Sequence, residues 1–390
     1  MAAFFSDKAI TQAECDWFAE TRFGGPVQPV AIQGAYSYTV FAGNGGDIVV
    51  QFREGGSPLL NPDAPLLQVF ASAHPGLVAL HAYVGAIGAL VIYSMPKLQG
   101  ATFVEALNTY DQQPDNRLTL AEDLAKFFAR SLRAAQGSTS LGPDPDEREQ
   151  TTKACLARLN HLEKTLPSRF QPAIQHVRDH AAGIFNAKNG YPWVTVHGDL
   201  SLSNILVSKS TGRLTGVIDL AELNLLPFGF DFCVIDDLAG EWRPGGWVEH
   251  ANAQAVRDRF WSTLLSFADP QLQNIKVAWL AGILFRYGTR FDAGFHGMLG
   301  RRNNATTDHQ ILAGLLCFLF LLASLMLLNS ALWNVWNAAR YLPNNYSVHL
   351  SPDGEDVTGG PDTDDRSRLA KIGHVVCFGI LFHRKAKGEP

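Results

Sequence analysis

Up to Gly100 the apolar residues fall in short runs broken by Gly, Asn and Pro. They predict strands over Pro29–Val40, Asp47–Phe52, Val78–Tyr83 and Ala89–Tyr93. Asn44-Gly45, between the first two, is a hairpin signal. A short helix over Thr11–Arg22, with Trp17 and Phe18 on its buried side, precedes these strands, and a second over Ala64–Ala73 interrupts them. Beyond Gly100 the period changes. Leu120, Leu124, Phe127, Phe128 and Leu132 fall near helical spacing and predict a helix over Leu118–Ala135. Helices over Ala154–Leu166, Pro172–Phe185 and Asn274–Phe285 follow, with a breaker-rich loop at Gly142–Asp146. Three short strands interrupt them: Tyr191–Val196, Ile205–Val207 and Leu214–Leu220, the last two around a Thr211-Gly212 turn.

That interruption carries the chemistry. It reads Val196-His197-Gly198-Asp199-Leu200-Ser201-Leu202-Ser203-Asn204-Ile205-Leu206-Val207, then Gly216-Val217-Ile218-Asp219. Asp199 and Asn204 stand five positions apart in a polar turn, and Asp219 ends an apolar run fifteen residues later. Phosphoryl transfer from ATP needs such a set. One carboxylate orients the acceptor hydroxyl, while an amide oxygen and a second carboxylate hold magnesium on the phosphates. Asp and Asn also favour turns for local reasons, so a lone His-Gly-Asp would mean little. The whole H-G-D-x-x-x-x-N pattern with a later apolar-Asp is far more demanding.

The segment resembles the aminoglycoside phosphotransferase and choline kinase-like family of small-molecule kinases. Ile218-Asp219-Leu220-Ala221-Glu222, continuing to Leu226-Pro227-Phe228-Gly229, is similar to a fungal branch of it. The resemblance runs from about Asp7 to about Leu316 and weakens towards the N-terminus. It implies an α+β, protein-kinase-like fold of two lobes. Residues 1–99 would be a small β-rich nucleotide-binding lobe, and 100–316 a larger helical lobe with a catalytic segment at 193–231. It also implies Mg2+-assisted transfer of the γ-phosphoryl of ATP to a hydroxyl of a small molecule. Asp199 would be the catalytic base, Asn204 and Asp219 the metal ligands, and His197 a residue holding the loop.

The nucleotide grip departs from the family. Gln33-Gly34-Ala35-Tyr36-Ser37-Tyr38 occupies the place of the phosphate-covering loop with one glycine, and Ser37 is a candidate phosphate neighbour. Protein kinases place a Lys on the next strand. This chain has Gln51 and Arg53, which share one strand face. Arg53 reads either as the phosphate cation or as a solvated strand-end residue. The helix over Ala64–Ala73 has no Glu to pair with it, only Asp63 at its start and Gln68. Ser94-Met95-Pro96-Lys97 resembles the inter-lobe hinge, with Met95 beside adenine or simply in the core. These gaps keep open an alternative, a pseudokinase-like binding or regulatory protein without turnover. Asp231, Asp236, Asp237 and Glu241 form an acidic cluster, read as a solvated helix face or as a cleft for cationic substrates, with Asp231 alternatively an N-cap or a buried loop anchor. Glu222 either reaches the metal's surroundings or faces solvent.

Charge narrows the partners. A formal net charge of −5 and a pI near 6.2 exclude the basic field that nucleic acid requires. Five scattered cysteines fit a reducing compartment, and the start turns polar too soon for a signal peptide, so the expected location is cytoplasmic. Ile311–Leu328 is eighteen residues without a charge, just short of the roughly 20 that cross a bilayer. It reads as a membrane-contacting segment, as a buried helix, or, with the atypical stretch 317–390, as translated intron or shifted frame. Ser351–Ser367 reads as a disordered acidic linker.

Overall fold

The computed structural model describes residues 2–34, 36–137, 145–186, 190–243, 246–267 and 274–288. The chain divides into two compact units, Met1–Ser324 and Leu325–Pro390, and the second lies outside the described residues. So do Ile311–Leu328, the acidic linker and most of the Gly142–Asp146 loop. Among the described residues no helix is long and apolar enough to cross a membrane.

A short helix α1 (Ala2–Phe5) leads to α2 (Gln12–Phe23). Thr11 and Glu14 form a reciprocal capping box that fixes where α2 begins. A five-stranded antiparallel sheet follows, built from β1 (Gln28–Pro29), β2 (Ser37–Ala42), β3 (Ile48–Glu54), β4 (Ala82–Ile87) and β5 (Leu90–Pro96), in the order β1-β2-β3-β5-β4. Helix α3 (Pro65–Ala73) lies between β3 and β4 in sequence. Alternation decides the faces of the sheet. Tyr38, Val40, Val50, Phe52, Leu90 and Ile92 are buried and pack with Cys15 and Ala19 of α2. The cross-strand pairs Ser37–Arg53, Thr39–Gln51, Gln51–Tyr93 and Val49–Met95 lie on the opposite face.

Three expectations fail here, the first being the strand over Val78–Tyr83, which starts only at Ala82 and runs to Ile87. The strand over Pro29–Val40 is two strands, because residues 31–34 carry no strand pairing. Gln33 ties that loop down by accepting from Thr39 N at 2.8 Å and donating to Val30 O and Thr39 O. Trp17 is 66 % exposed. Cys15, Phe18 and Ala19 set the buried face of α2, and Trp17 projects from the other side.

Past Gly100 the chain forms β6 (Ala101–Thr102), then helices α4 (Phe103–Gln112), α5 (Asp115–Gly137), α6 (Pro145–Thr165) and α7 (Gln171–Phe185). Next come β7 (Trp193–Val196), β8 (Ile205–Val207), β9 (Leu214–Val217) and β10 (Asn224–Pro227). Helix α8 (Val234–Ala239), strands β11 (Gly240–Arg243) and β12 (Gly246–Glu249), and helices α9 (Ala253–Leu265) and α10 (Ile275–Gly288) complete the described part. Helix α5 runs through the large core, where Phe128 meets Phe232 and Phe260 with ring centroids 4.6 and 6.1 Å away. Each such ring contributes about 1.5–3 kcal/mol by leaving water. Helix α3 packs into this core through Leu67 and Phe70. A β-rich part followed by a helical part is the α+β, protein-kinase-like architecture.

β7 does not join the other two short strands. It pairs with β10, while β8 pairs with β6 and β9. The loop 197–204 and the turn 218–223 therefore leave two separate small sheets and meet between them.

Candidate active site

The loop begins where His197 leaves β7. His197 is fully buried. Its Nε2 lies 2.8 Å from Ile218 O, and its Nδ1 accepts from Asp199 N at 3.2 Å. A carbonyl only accepts, so the ring carries its proton on Nε2 and leaves Nδ1 for Asp199 N. One imidazole thus joins the backbone preceding Asp219 to that of Asp199.

Gly198 has φ 80°, a left-handed conformation that L side chains seldom adopt. A Cβ there would also overlap Glu222 O. The turn that presents Asp199 therefore requires glycine twice over. Asp231 anchors the same turn from behind: its Oδ2 accepts from His197 N at 2.6 Å and from Gly198 N at 3.4 Å. Burial pushes the Asp231 carboxyl above the ordinary range, against the pull of His197, Arg286 and these two N–H groups.

Asn204 is buried beneath Asp199. Its Nδ2 donates to Asp199 O at 2.8 Å, which leaves the amide oxygen as the end available to a cation. Its backbone carbonyl accepts from Ile218 N at 3.0 Å, which fastens the loop to the chain that delivers Asp219. Asp219 has φ 62° and ψ 66°, the single non-glycine residue with positive φ among the described residues. That costs about 1–2 kcal/mol and ends the strand expected over Leu214–Leu220 at Val217. The result is a side chain 45 % exposed at the edge of the turn.

An Asn oxygen and one accessible carboxylate suit Mg2+, which takes hard oxygen ligands and usually completes its shell with phosphates and water. Among the described residues no three His, Cys, Asp or Glu side chains group as a self-sufficient metal site.

Ser37, Gln51 and Arg53 form a hydrogen-bonded row. Gln51 Nε2 donates to Ser37 Oγ at 3.2 Å, and Arg53 Nη1 donates to Gln51 Oε1 at 3.4 Å. Arg53 also donates from Nε to Ser57 O at 2.9 Å, and its Nη1 stands 3.7 Å from Asp219 Oδ1. Its side chain is only 6 % exposed, so the solvated strand-end reading is wrong: the sheet face holds it against the second half of the site. Its carboxylate partner is Asp219 and not a residue of α3, where Gln68 donates to Pro62 O. Met95 lies on the same sheet face opposite Val49, outside this row, because β5 continues past the expected hinge to Pro96.

Two residues matter more than the sequence indicated. Glu222 stands where both site carboxylates repel it. Partial burial, then Asp199 and Asp219, push its carboxyl up against the pull of Arg53 and His197. Arg286 comes from α10, with Nη2 3.6 Å from Asp199 Oδ1.

The acidic cluster is not one solvated face: Asp231 is the buried loop anchor, and Glu241 alone of the four stays partly exposed with an exposed partner, accepting from Arg243 Nε at 2.7 Å. Asp231 and Asp236 are buried. Asp236 accepts from Arg257 Nε and Trp279 Nε1, each at 3.0 Å, and Asp237 accepts from Tyr287 Oη. These partners come from α9 and α10, beyond the reach of a local pattern.

The fold is that of a kinase-like phosphotransferase. The chain belongs to the phosphotransferase enzyme family, APH, whose profile matches residues 27–264, more than half its length. Among solved structures it is similar to the GDP complex of aminoglycoside 2′-phosphotransferase-IIIa, at 15 % identity and a TM-score of 0.49 over 71 % of this chain and 91 % of that one. It is also similar to macrolide 2′-phosphotransferase type I, at 16 % identity and a TM-score of 0.45 over 72 % and 92 %. An aminoglycoside phosphotransferase from Streptomyces rimosus gives 14 %, 0.41, 70 % and 98 % in the same terms. These likenesses are distant, and membership rests on the profile. A separate short similarity, 41 % over 61 residues, is to a lipid-translocating exporter-like protein of Leptosphaeria maculans. It spans 15 % of this chain and 12 % of that protein.

Proposed function

We propose that this chain transfers the γ-phosphoryl group of ATP to a hydroxyl of a small molecule. The observation that carries the reading is the convergence of Asp199, Asn204 and Asp219 through the Asn204–Asp199 and Ile218–Asn204 hydrogen bonds. Asp199 orients the acceptor hydroxyl and takes its proton as the oxygen bonds to the γ-phosphorus and the bond to the β-phosphate oxygen breaks, leaving ADP. Asn204 and Asp219 would hold the cation, which when bound would neutralise charge on the phosphates. Arg53, steadied by Gln51 and Ser37, supplies a fork that can pass from Asp219 to a phosphate oxygen. Most of the acceleration comes from positioning and charge. The setting proposed is cytoplasmic, in keeping with Cys15, Cys155 and Cys233 as buried thiols.

A second reading, binding without turnover, draws on the Arg53–Asp219 pair and on α3, which lacks a glutamate. The test uses the full chain with Mg2+ and ATP and a panel of amino alcohols, sugars and aminoglycosides. Asp199→Asn should lower turnover at least about 100-fold with nucleotide affinity kept. Asp219→Ala should lose Mg2+-dependent nucleotide binding. Unchanged turnover in Asp199→Asn removes the mechanism, and nucleotide binding with no turnover on any acceptor, water included, favours the second reading.

A further inference from the structure

The loop His197–Asn204 contains neither Lys nor Arg, so any cation beside Asp199 must come from another element. It comes from α10, which starts past the last residue of the family match. Gly282 makes the approach: a Cβ there would overlap Phe230 O, so the helix can press against the 230–233 turn only without a side chain at that position. Four residues on, on the same helix face, stands Arg286. Its side chain is 5 % exposed, and its Nη2 meets Asp199 Oδ1 from the protein side, while Asp199 remains 24 % exposed. The titratable groups facing Arg286 are the Asp199, Asp231 and Asp237 carboxyls, the Cys233 thiol and the Tyr287 phenol. Asp237 is itself tied to Tyr287 by a hydrogen bond, so the guanidinium sits in a fixed frame. Burying a guanidinium is unfavourable unless its charge is used.

We infer that Arg286 is a positioning residue for Asp199. It holds the carboxylate at Oδ1 from the buried side, so that the group is presented to the acceptor hydroxyl. The inference rests on the phosphotransferase reading of Asp199. Without the guanidinium the carboxylate can rotate away from the in-line direction, and a misplacement of about 1 Å can cost on the order of 100-fold in rate. The loss falls on kcat, because Arg286 touches neither Asn204, Asp219 nor Arg53 among the contacts that build the nucleotide side.

The experiment compares the full chain with Arg286→Lys, Arg286→Gln, Asp199→Asn and the double variant Asp199→Asn/Arg286→Gln. It measures phosphate release from Mg2+ and ATP, with water or the fastest hydroxyl compound of the panel as acceptor. Circular dichroism, thermal melting and nucleotide affinity are recorded alongside. The expected result is a fall in kcat of about 30- to 100-fold for Arg286→Gln, with nucleotide Kd within about twofold and a partial recovery in Arg286→Lys that stays at least about fivefold below wild type. The double variant should be no slower than Asp199→Asn alone. If Arg286→Gln does not fold, Arg286→Lys decides: a lowered kcat with unchanged Kd supports the inference. Folded variants with wild-type kcat overturn it, whatever their melting temperature, since a merely structural cation moves stability alone. An Asp199→Asn variant as active as the wild type would instead overturn the underlying mechanism.

Discussion

Removing the Asp231 carboxylate tests the frame on which the site depends. In Asp231→Ala, His197 N and Gly198 N lose their shared acceptor at 2.6 and 3.4 Å inside a fully buried turn. A charge-assisted bond of the first length contributes about 1.5–3 kcal/mol. The longer contact adds about 0.5 kcal/mol. Against this, the substitution relieves the desolvation that pushes the Asp231 carboxyl up. The net loss expected is about 2–4 kcal/mol. Turnover should fall by about 100-fold, because the same two amides orient the residue before Asp199.

Asp231→Asn separates the acceptor from the charge. Its Oδ1 can accept from both amides, so it should cost no more than about 1 kcal/mol and keep most of the activity. The sign with pH follows from the raised carboxyl. Protonation is favoured in the fold, so the wild type is strongest relative to Asn at low pH and loses ground as pH rises. Urea unfolding of the full chain, followed by tryptophan fluorescence near neutral pH, gives the stabilities, and phosphate release gives the rates. An Asn variant as damaged as the Ala variant would refute the reasoning, for the amides would then need the charge and not the acceptor.

Three further outcomes follow from the geometry. Gly198→Ala must accept φ 80° and push Glu222 O aside, so a loss of about 2–4 kcal/mol and a large drop in turnover are expected; thermal melting within a degree of wild type would contradict the overlap. Burial pushes the Asp236 carboxyl up to about 6, against the pull of Arg257 at 3.0 Å. Its protonation favours the fold below the ordinary carboxylate range, and the advantage fades as pH rises through about 6. The wild type should therefore lose about 1–3 kcal/mol relative to Asp236→Asn between about pH 4 and 8, measured by urea titration at each pH. Arg53→Met should raise the Kd for Mg2+ and ATP by about tenfold or more while the sheet still folds, and calorimetry reading an unchanged Kd would remove Arg53 from the nucleotide grip.

What the sequence made legible and what it hid differ by the distance over which partners are recruited. Asp199, Asn204 and Asp219 were readable because they sit on consecutive turns, and a short-range pattern of apolar runs and polar gaps records where each turn falls. The helices over 118–135 and 172–185 were readable for the same local reason, since one apolar stripe suffices. Trp17 was misplaced because the apolar positions of α2 do not by themselves say which side of the helix is inside, and only the packing of Cys15 and Ala19 against β2 and β3 shows it. Arg53 could not be placed because a strand end looks solvated until the turn carrying Asp219 arrives opposite it. Within the acidic cluster, Asp236 and Asp237 were misread for a stronger version of that reason. Asp236 and Asp237 look hydrophilic by composition, yet Arg257, Trp279 and Tyr287 reach them from helices formed later in the chain. Arg286 belongs with them: nothing in an apolar helix run marks one cation as the neighbour of a carboxylate in a distant loop. The reactive groups of this site are thus written locally, while the groups that fix their orientation are written in long-range packing.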